Sequence, residues 1–427
     1  MSWKKRFRTK FKGASKKIAR FFVQNLLPKW MLHSITRNSL NLDYELPDDL
    51  IFKVAETQEE LEAAFSILHD AYVGEAFIKP RESGLYVSLQ HALPSTSTLI
   101  AVLKGRVIGT VTLIRDNPLT LPLEKHFDVS SLRNRGARVA EVSSLAVHRD
   151  FRRAYGGKVV FPLFAYLYRY AVQCYGLSYF VIAIYPHHTY FYEAIFDFKQ
   201  VENKIVNDYM GAPATAMYLD LVSLPLNLNI LYKDVPKNKN VGKFCLDHSF
   251  SQFLFPKRDY VHISDPVMTP EMLDYFFNKK TSLFADMSQI EAQAIVRNYS
   301  LPNYRKVLPK VTESSVEFNN RSERFDVKSK GRLLVKGDRG ERWINVEILN
   351  VSIDGFAAVL DQNIRLGDTF SGNLVIGEFE IVNVTAVPVW KKEDCYYGFK
   401  ISEASSAWST FINYLLSDLY KSEKKAA

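Results

Sequence analysis

Ala140-Glu141-Val142-Ser143-Ser144-Leu145-Ala146-Val147, followed by the Gly- and Arg-rich run His148-Arg149-Asp150-Phe151-Arg152-Arg153-Ala154-Tyr155-Gly156-Gly157, is the stretch on which the fold is decided. The first eight residues form an apolar strand, the next ten a loop, and a helix from about Lys158 to Tyr175 follows. Upstream, Thr98–Leu103 and Val107–Ile114 make a hairpin with Gly105 at its tip. Before that come a strand at Ile51–Val54 and a helix at Gln58–Val73, which sets Leu61, Ala64, Phe65, Leu68 and Tyr72 on one face. Downstream lie a strand at Tyr179–Tyr185, a turn at Pro186–Thr189, a short helix at Tyr190–Phe196 and a strand at Ala216–Leu221. The order β-α-β-β-β-α-β-α-β predicts a mixed α/β sheet.

The texture changes after Arg321. Short β-type runs at Gly331–Val335, Trp343–Leu349, Gly355–Leu360, Thr369–Ile376, Phe379–Val389 and Tyr396–Ile401 are separated by Gly, Asp and Asn, which predicts a small all-β barrel or sandwich closed by an amphipathic helix at Ser405–Tyr420. The expected organisation is therefore an arm at 1–49, an α/β domain at 50–310 (core 50–221, helical extension 222–310), a linker at 311–320 and a β domain at 321–427.

The net charge of +9 is concentrated at one end. Ten basic residues and no acid fall within residues 1–30, so the remaining chain carries 9 − 10 = −1. Within that arm Trp3, Phe7, Phe11, Ala14, Ile18, Phe21 and Phe22 recur at three- and four-residue steps, an aromatic stripe on a basic helix. Such a helix suits an anionic membrane surface, each cation adding about 1 kcal/mol. A basic tail, or a helix docked on its own protein, is the alternative. Nucleic acid is not expected, because no recognisable binding fold accompanies the charge. Cys174, Cys245 and Cys395 lie too far apart in sequence for a disulfide framework or a metal knuckle, which points to a reducing, cytoplasmic setting with no metal and no tightly bound cofactor. No stretch is expected to span a bilayer or act as a signal peptide. The expected location is the inner face of the membrane, held peripherally.

The segments Ile108-Gly109-Thr110-Val111-Thr112-Leu113-Ile114-Arg115-Asp116, Leu121-Pro122-Leu123 and Glu141–Val147, with His69–Val73 and Ala92–Thr96 upstream, resemble the acyl-homoserine-lactone synthases and, more closely, the FeeM-type N-acyl amino acid synthases. Ser144 stands where the lactone synthases carry arginine. The resemblance implies a GNAT fold, in which two neighbouring strands splay and the donor's pantetheine arm fills the gap. The splay is expected between Ala140–Val147 and Tyr179–Tyr185. It also implies transfer of a long acyl chain from acyl carrier protein, or from acyl-CoA, to the amine of an amino acid or related acceptor.

That chemistry needs the amine deprotonated and the leaving thiolate reprotonated. Glu141 is the expected base, where partial desolvation would raise its pKa; a carboxylate paired with Arg138 is the alternative. Tyr192, in Phe191-Tyr192-Glu193-Ala194-Ile195-Phe196-Asp197-Phe198, resembles the tyrosine that protonates the leaving sulfur, with Asp197 where glycine is usual; core packing is the other reading. His187, beside His188, is expected to contact the acceptor or relay a proton. Arg152, Arg153, Gly156 and Gly157 are expected to hold the donor phosphate at a helix N-terminus, while Lys158 departs from the family's small residue.

Asn350-Val351-Ser352-Ile353-Asp354-Gly355 resembles the second motif of PilZ domains, which bind cyclic di-GMP. Arg321 and Arg324 match part of the arginine motif, and Asn320 replaces one member. The resemblance implies a nucleotide site formed by Arg321, Arg324, Asn350, Ser352 and Gly355, arginine being chosen for its planar fork. The bland alternative makes the second motif a turn, with Gly355 supplying a positive φ. Two functions remain open: an N-acyltransferase tuned by cyclic di-GMP, or a non-enzymatic effector whose α/β body binds a partner.

Overall fold

The computed structural model describes residues 28–256, 268–296, 298–299, 302–311, 324–337, 340–376, 380–392 and 395–424. The aromatic stripe of the arm and Arg321 lie outside them. The N-terminal half contains α1 (Lys29–Asn38), β1 (Leu50–Val54), α2 (Gln58–Gly74), β2 (Thr96–Leu103), β3 (Arg106–Arg115), β4 (Val139–Val147), α3 (Arg152–Arg169), β5 (Tyr179–Ile184), α4 (Thr189–Phe196), β6 (Lys199–Gln200), β7 (Val206–Tyr209) and β8 (Ala212–Asp220). The strands form one sheet in the order β1-β2-β3-β4-β5-β8-β6, with β7 paired to β8. Only the β4–β5 pair is parallel.

Local chemistry explains the boundaries. Thr57 caps α2 by accepting from the Glu60 N–H, and the Glu60 carboxylate accepts from the Thr57 N–H in return. Lys104 and Gly105 both take positive φ in the two-residue turn between β2 and β3, matching the twist of the strands they join. All eight residues of β2 are buried because helices cover both faces of the sheet. On one face Leu99, Val111, Leu113 and Phe180 pack with Val159, Leu163 and Tyr166 of α3. On the other, Ile100, Val102 and Val107 pack with Leu61, Phe65 and Leu68 of α2. Gly109 is required by the first packing: a Cβ there would sit 2.6 Å from Val159 Cγ1.

The α/β body reaches further upstream than residue 50. Leu40, Leu42 and Leu46, assigned to the arm on sequence, are buried in the α3-side core, and Arg37 of α1 donates to the Ala194 carbonyl of α4 at 3.2 Å. Apolar residues in this segment bury themselves against the nearest free face, which the run of arm cations obscured. Residues 222–310 complete both cores: Leu224, Leu228, Phe244 and Phe250 enter the α3 side, and Met268, Phe276, Phe277 and Ile295 the α2 side.

The C-terminal region is a closed six-stranded antiparallel barrel, as the PilZ-like reading expected. Its strands are β9 (Phe325–Gly337), β10 (Gly340–Ser352), β11 (Gly355–Leu360), β12 (Phe370–Ile376), β13 (Glu380–Lys392) and β14 (Tyr396–Ala404), in the order β10-β11-β14-β13-β12-β9, with β9 pairing β10 to close the ring. The helix Ser406–Lys424 buries Trp408, Phe411, Ile412 and Leu415 in the barrel core. Gly355 is not in the left-handed region, contrary to the turn reading. It is glycine because a Cβ would lie 2.1 Å from the Phe399 carbonyl oxygen on β14. Among the described residues no helix is long and apolar enough to cross a membrane.

Candidate active site

The parallel strands β4 and β5 pair at three positions only: Val139 with Tyr179, Ala140 with Phe180 and Glu141 with Val181. Beyond Glu141 they have no common register, so β4 and β5 part and open a V between them. Its place agrees with the expected splay. One limb is further distorted by a bulge, since the β3–β4 register shifts where Thr110 pairs Ala146 and Thr112 pairs Ser143. Ser144 takes φ 58° inside this bulge, a conformation that non-glycine residues hold only when the surroundings enforce it. Its hydroxyl lies 3.1 Å from that of Tyr72 and 3.4 Å from that of Ser143.

Glu141 stands at the last paired position, where the V opens, and is 2% exposed. One carboxylate oxygen accepts the Leu123 N–H at 2.9 Å. That N–H comes from the turn Pro122–Lys125, which brings Leu121 and Leu123 against Val139, Val181 and Ala216. Burial drives the carboxyl pKa up to about 8; the Leu123 N–H pulls it down, and the negative charge of Glu124 adds to the rise. Arg138 does not pair with it. That guanidinium donates to the Tyr175 carbonyl at 2.7 Å and to carbonyls of the barrel.

Three tyrosines that carried no role in the sequence reading lie within the electrostatic reach of this carboxyl. Tyr72, Tyr86 and Tyr209 have their phenol pKa values raised chiefly by burial, with the charge of Glu141 contributing to each. The Tyr72 and Tyr86 rings meet edge to face at 4.6 Å, and the wall continues through Phe77 to Tyr185. The hydroxyls of Thr110 and Thr112 are buried without a hydrogen-bond partner. Tyr72 was legible as part of a helix face; Tyr209 arrives on β7, a strand no periodicity had marked.

The other expected residues are distributed around the V. Helix α3 begins at Arg152 rather than Lys158, because the Arg152 N–H already bonds the His148 carbonyl at 3.2 Å and starts the first turn. Gly156 and Gly157 thus lie inside the helix, and a Cβ on either would meet no protein atom within 4 Å. Arg153 is exposed. The Arg152 Nε donates to the Val147 carbonyl at 2.9 Å, tying the helix to the end of β4. Lys158 pairs with Asp43 at 2.7 Å.

Tyr192 is partly buried on α4 against Phe191 and Phe198, with burial raising its pKa. It packs on the α3-side core, whereas Glu141 keeps company with the opposite cluster. Asp197 takes φ 63° at the end of α4, the conformation for which glycine is usual, and its carboxylate accepts from Asn227 Nδ2 at 2.8 Å. His187 is exposed on the turn Pro186–His188, its ring 5.2 Å from Tyr185 and 4.2 Å from His188. Five residues lie between it and Val181, the partner of Glu141, and the chain leaves β5 at Ile184 before turning through Pro186–His188. It borders an open cleft shared with Lys29, His33 and Glu193, so the structure does not bring it to Glu141.

In the barrel, Arg324 Nη1 donates to Asn350 Oδ1 at 3.0 Å, joining the two expected motifs. Ser352 is buried and its hydroxyl donates to the Gly355 carbonyl at 3.2 Å, closing the turn from β10 to β11.

A sheet split beside one buried carboxyl agrees with a sequence match. Residues 63–220 match the family model of N-acyl amino acid synthase FeeM. The FeeM-like segment runs from within α2 to the end of β8, leaves the barrel outside, and marks the sheet domain as an acyltransferase of the GNAT superfamily. No curated protein matches the chain. Among solved structures, FeeM from uncultured soil microbes shares 22% identity over 42% of this chain and 94% of its own, TM-score 0.36. The CoA-dependent acyl-homoserine lactone synthase BjaI with SAM and isopentyl-CoA shares 16% over 49% and 94%, TM-score 0.36. YcgR from Escherichia coli in complex with c-di-GMP shares 14% over 25% and 49%, TM-score 0.21. The FeeM-like assignment rests on the family match and not on these partial overlaps.

Proposed function

We propose that this chain is an N-acyltransferase that moves a long acyl group from acyl carrier protein, or from acyl-CoA, to the amine of an amino acid or related acceptor. The buried Glu141 at the opening of the β4–β5 gap carries the reading. The donor's pantetheine arm lies along the edge of β4 that faces β5, where no strand pairs with it after Glu141. Glu141, ionised, takes a proton from the acceptor ammonium. The freed amine attacks the thioester carbonyl, the C–N bond forms, the C–S bond breaks, the sulfur leaves as a thiol with a proton from Tyr192, and the second proton shed by the nitrogen restores the Tyr192 phenol. Glu141 and Tyr192 pack on opposite faces of the sheet, so a thioester threaded through the gap is flanked by both.

Arg152 and Arg153 hold the donor phosphate at the start of α3. Gly156 and Gly157 support this: neither is demanded by positive φ or by packing, yet each costs about 1 kcal/mol relative to alanine inside a helix. A close ligand approach gives them a reason. Cyclic di-GMP binds the barrel through Arg321, Arg324, Asn350, Ser352 and Gly355 and regulates the transfer, for which the Arg324–Asn350 pairing is the support. The basic arm sets the enzyme peripherally on an anionic inner membrane face. Trp30 and Ile35 of α1, 69% and 52% exposed, extend that apolar character into the described residues.

The test is incubation with long-chain acyl carrier protein and an amino acid pool, read by mass spectrometry. Acyl-amine from the wild type and none from Glu141→Gln is expected. Its absence from the wild type favours the non-enzymatic effector instead.

A further inference from the structure

Arg138 occupies the closed apex of the V. Its carbonyl accepts the N–H groups of Ser178 at 2.9 Å and Tyr179 at 3.1 Å, and its own N–H donates to Ser178 Oγ at 3.3 Å, so it fastens the start of β4 to the start of β5. Its Nη1 holds the carbonyl of Tyr175 at 2.7 Å, which ends the wide helical turn Tyr170–Cys174 that follows α3. Its Nη2 crosses to the barrel, donating to the Val327 carbonyl at 2.9 Å and the Leu349 carbonyl at 2.7 Å.

Those two carbonyls mark an irregularity in the barrel wall. The β9–β10 register runs to Ile348 with Ser329 and resumes at Asn350 with Asp326, so Leu349 and Val327 have no partner in that ladder. Leu349 is skipped in the β10–β11 ladder as well. A bulge frees backbone groups that a regular ladder would consume, and a part-buried carbonyl left unmet costs about 1–3 kcal/mol. Arg138, from the other domain, meets both. Adjacent to the bulge stand Asn350 and its partner Arg324.

We infer that Arg138 is a positioning residue that couples the barrel to the transferase: occupation of the Arg324–Asn350 site reshapes the bulge at Val327 and Leu349, and Arg138 passes that change to the apex of the β4–β5 gap, three residues from Glu141. The inference rests on the proposed nucleotide site. It adds the route by which that site acts on the catalytic strand. A charged fork is suited to this role because it satisfies several carbonyls at fixed angles, whereas lysine offers one compact charge. The coupling is reciprocal: acyl donor in the gap alters nucleotide affinity by the factor with which nucleotide alters donor affinity.

The experiment uses the full chain as wild type, Arg138→Ala and Arg138→Lys, with folding checked by circular dichroism. Hydrogen exchange of peptides covering 138–147 and 325–352 is followed with and without saturating cyclic di-GMP, alongside acyl-transfer rates. Without nucleotide, Arg138→Ala is expected to speed exchange about tenfold at both ends of the joint, with Arg138→Lys between. With nucleotide, the wild type is expected to change exchange in β4 and its transfer rate about fivefold or more, and Arg138→Ala less than twofold while still binding nucleotide. Unchanged exchange at both ends in Arg138→Ala overturns the joint, as does a full β4 response in that variant. A wild type that makes no acyl-amine but shows the β4 response sinks the transferase reading and upholds the joint. A wild type that binds no nucleotide sinks the sensor reading and this coupling with it. If Arg138→Ala does not fold, the same comparisons in Arg138→Lys decide.

Discussion

Replacing Glu141 by glutamine tests the buried carboxyl through stability and catalysis together. Burial pushes the carboxyl pKa up to about 8 in the folded protein, against 4.5 for a free glutamate. Below pH 4.5 both states hold the proton and no penalty exists. As the pH rises toward 8 the unfolded chain releases its proton and the folded chain does not, so stability falls across this window and levels above it. At 1.36 kcal/mol per pKa unit the penalty is about 1 kcal/mol at pH 5, about 3 at pH 7 and about 4 at pH 8. Glutamine keeps an oxygen for the Leu123 N–H and cannot titrate, so the variant is expected to gain stability over the wild type as the pH rises from 5 to 8. The assay is urea unfolding at both pH values, followed by hydrogen exchange of a peptide spanning β3 and β4, which isolates the sheet domain from the barrel. Transfer activity should be lost in the variant, and in the wild type it should rise about tenfold per pH unit below pH 8, where only the ionised minority is a base. A stability difference that is flat between pH 5 and 8 refutes the raised pKa. Full activity in the variant refutes the role.

Substituting Gly156→Ala and Gly157→Ala together should stabilise α3 by about 1–2 kcal/mol while raising the KM for acyl donor, measured by thermal melting and steady-state kinetics; an unchanged KM removes the phosphate site from this turn. Gly355→Ala, placing a Cβ 2.1 Å from the Phe399 carbonyl oxygen, should destabilise the barrel by about 3 kcal/mol, seen as an earlier barrel transition with the sheet domain's transition unmoved. Asn350→Ala removes the partner of Arg324 and should weaken cyclic di-GMP binding about tenfold or more in calorimetry, a loss of one charged hydrogen bond; equal affinity places the nucleotide elsewhere. Removing residues 1–27 should abolish flotation with anionic liposomes, and equal flotation without them would remove the membrane role of the arm.

The sequence by itself determined what depends on local periodicity and on steric need. Alternation and turn chemistry located the strands of both domains except β6 and β7, the Lys104-Gly105 tip required a hairpin, and a lone acid opening an apolar strand singled out Glu141. The motif Asn350–Gly355 was legible through its resemblance to PilZ domains, although the need for Gly355 was not: a 2.1 Å approach from β14 comes from a strand more than forty residues away. The arm's boundary was misplaced because a run of cations masked Leu40, Leu42 and Leu46, whose burial depends on a face of the sheet that local pattern does not display. The start of α3 was misplaced because glycines read as loop where the His148 carbonyl had already begun a helix.

Only the tertiary structure decided which residues share the site. Tyr72, Tyr86 and Tyr209 feel the charge of Glu141 from a helix, the segment after it and a hairpin, and the burial that raises the carboxyl pKa is a property of the packed sheet, opposed by the Leu123 N–H. Arg138 had been offered as the partner of Glu141, three residues away. It turned out to hold carbonyls 37, 189 and 211 residues distant. Periodicity reports which face a side chain occupies and is silent about what meets that face, because the meeting is set by packing between elements that are remote along the chain.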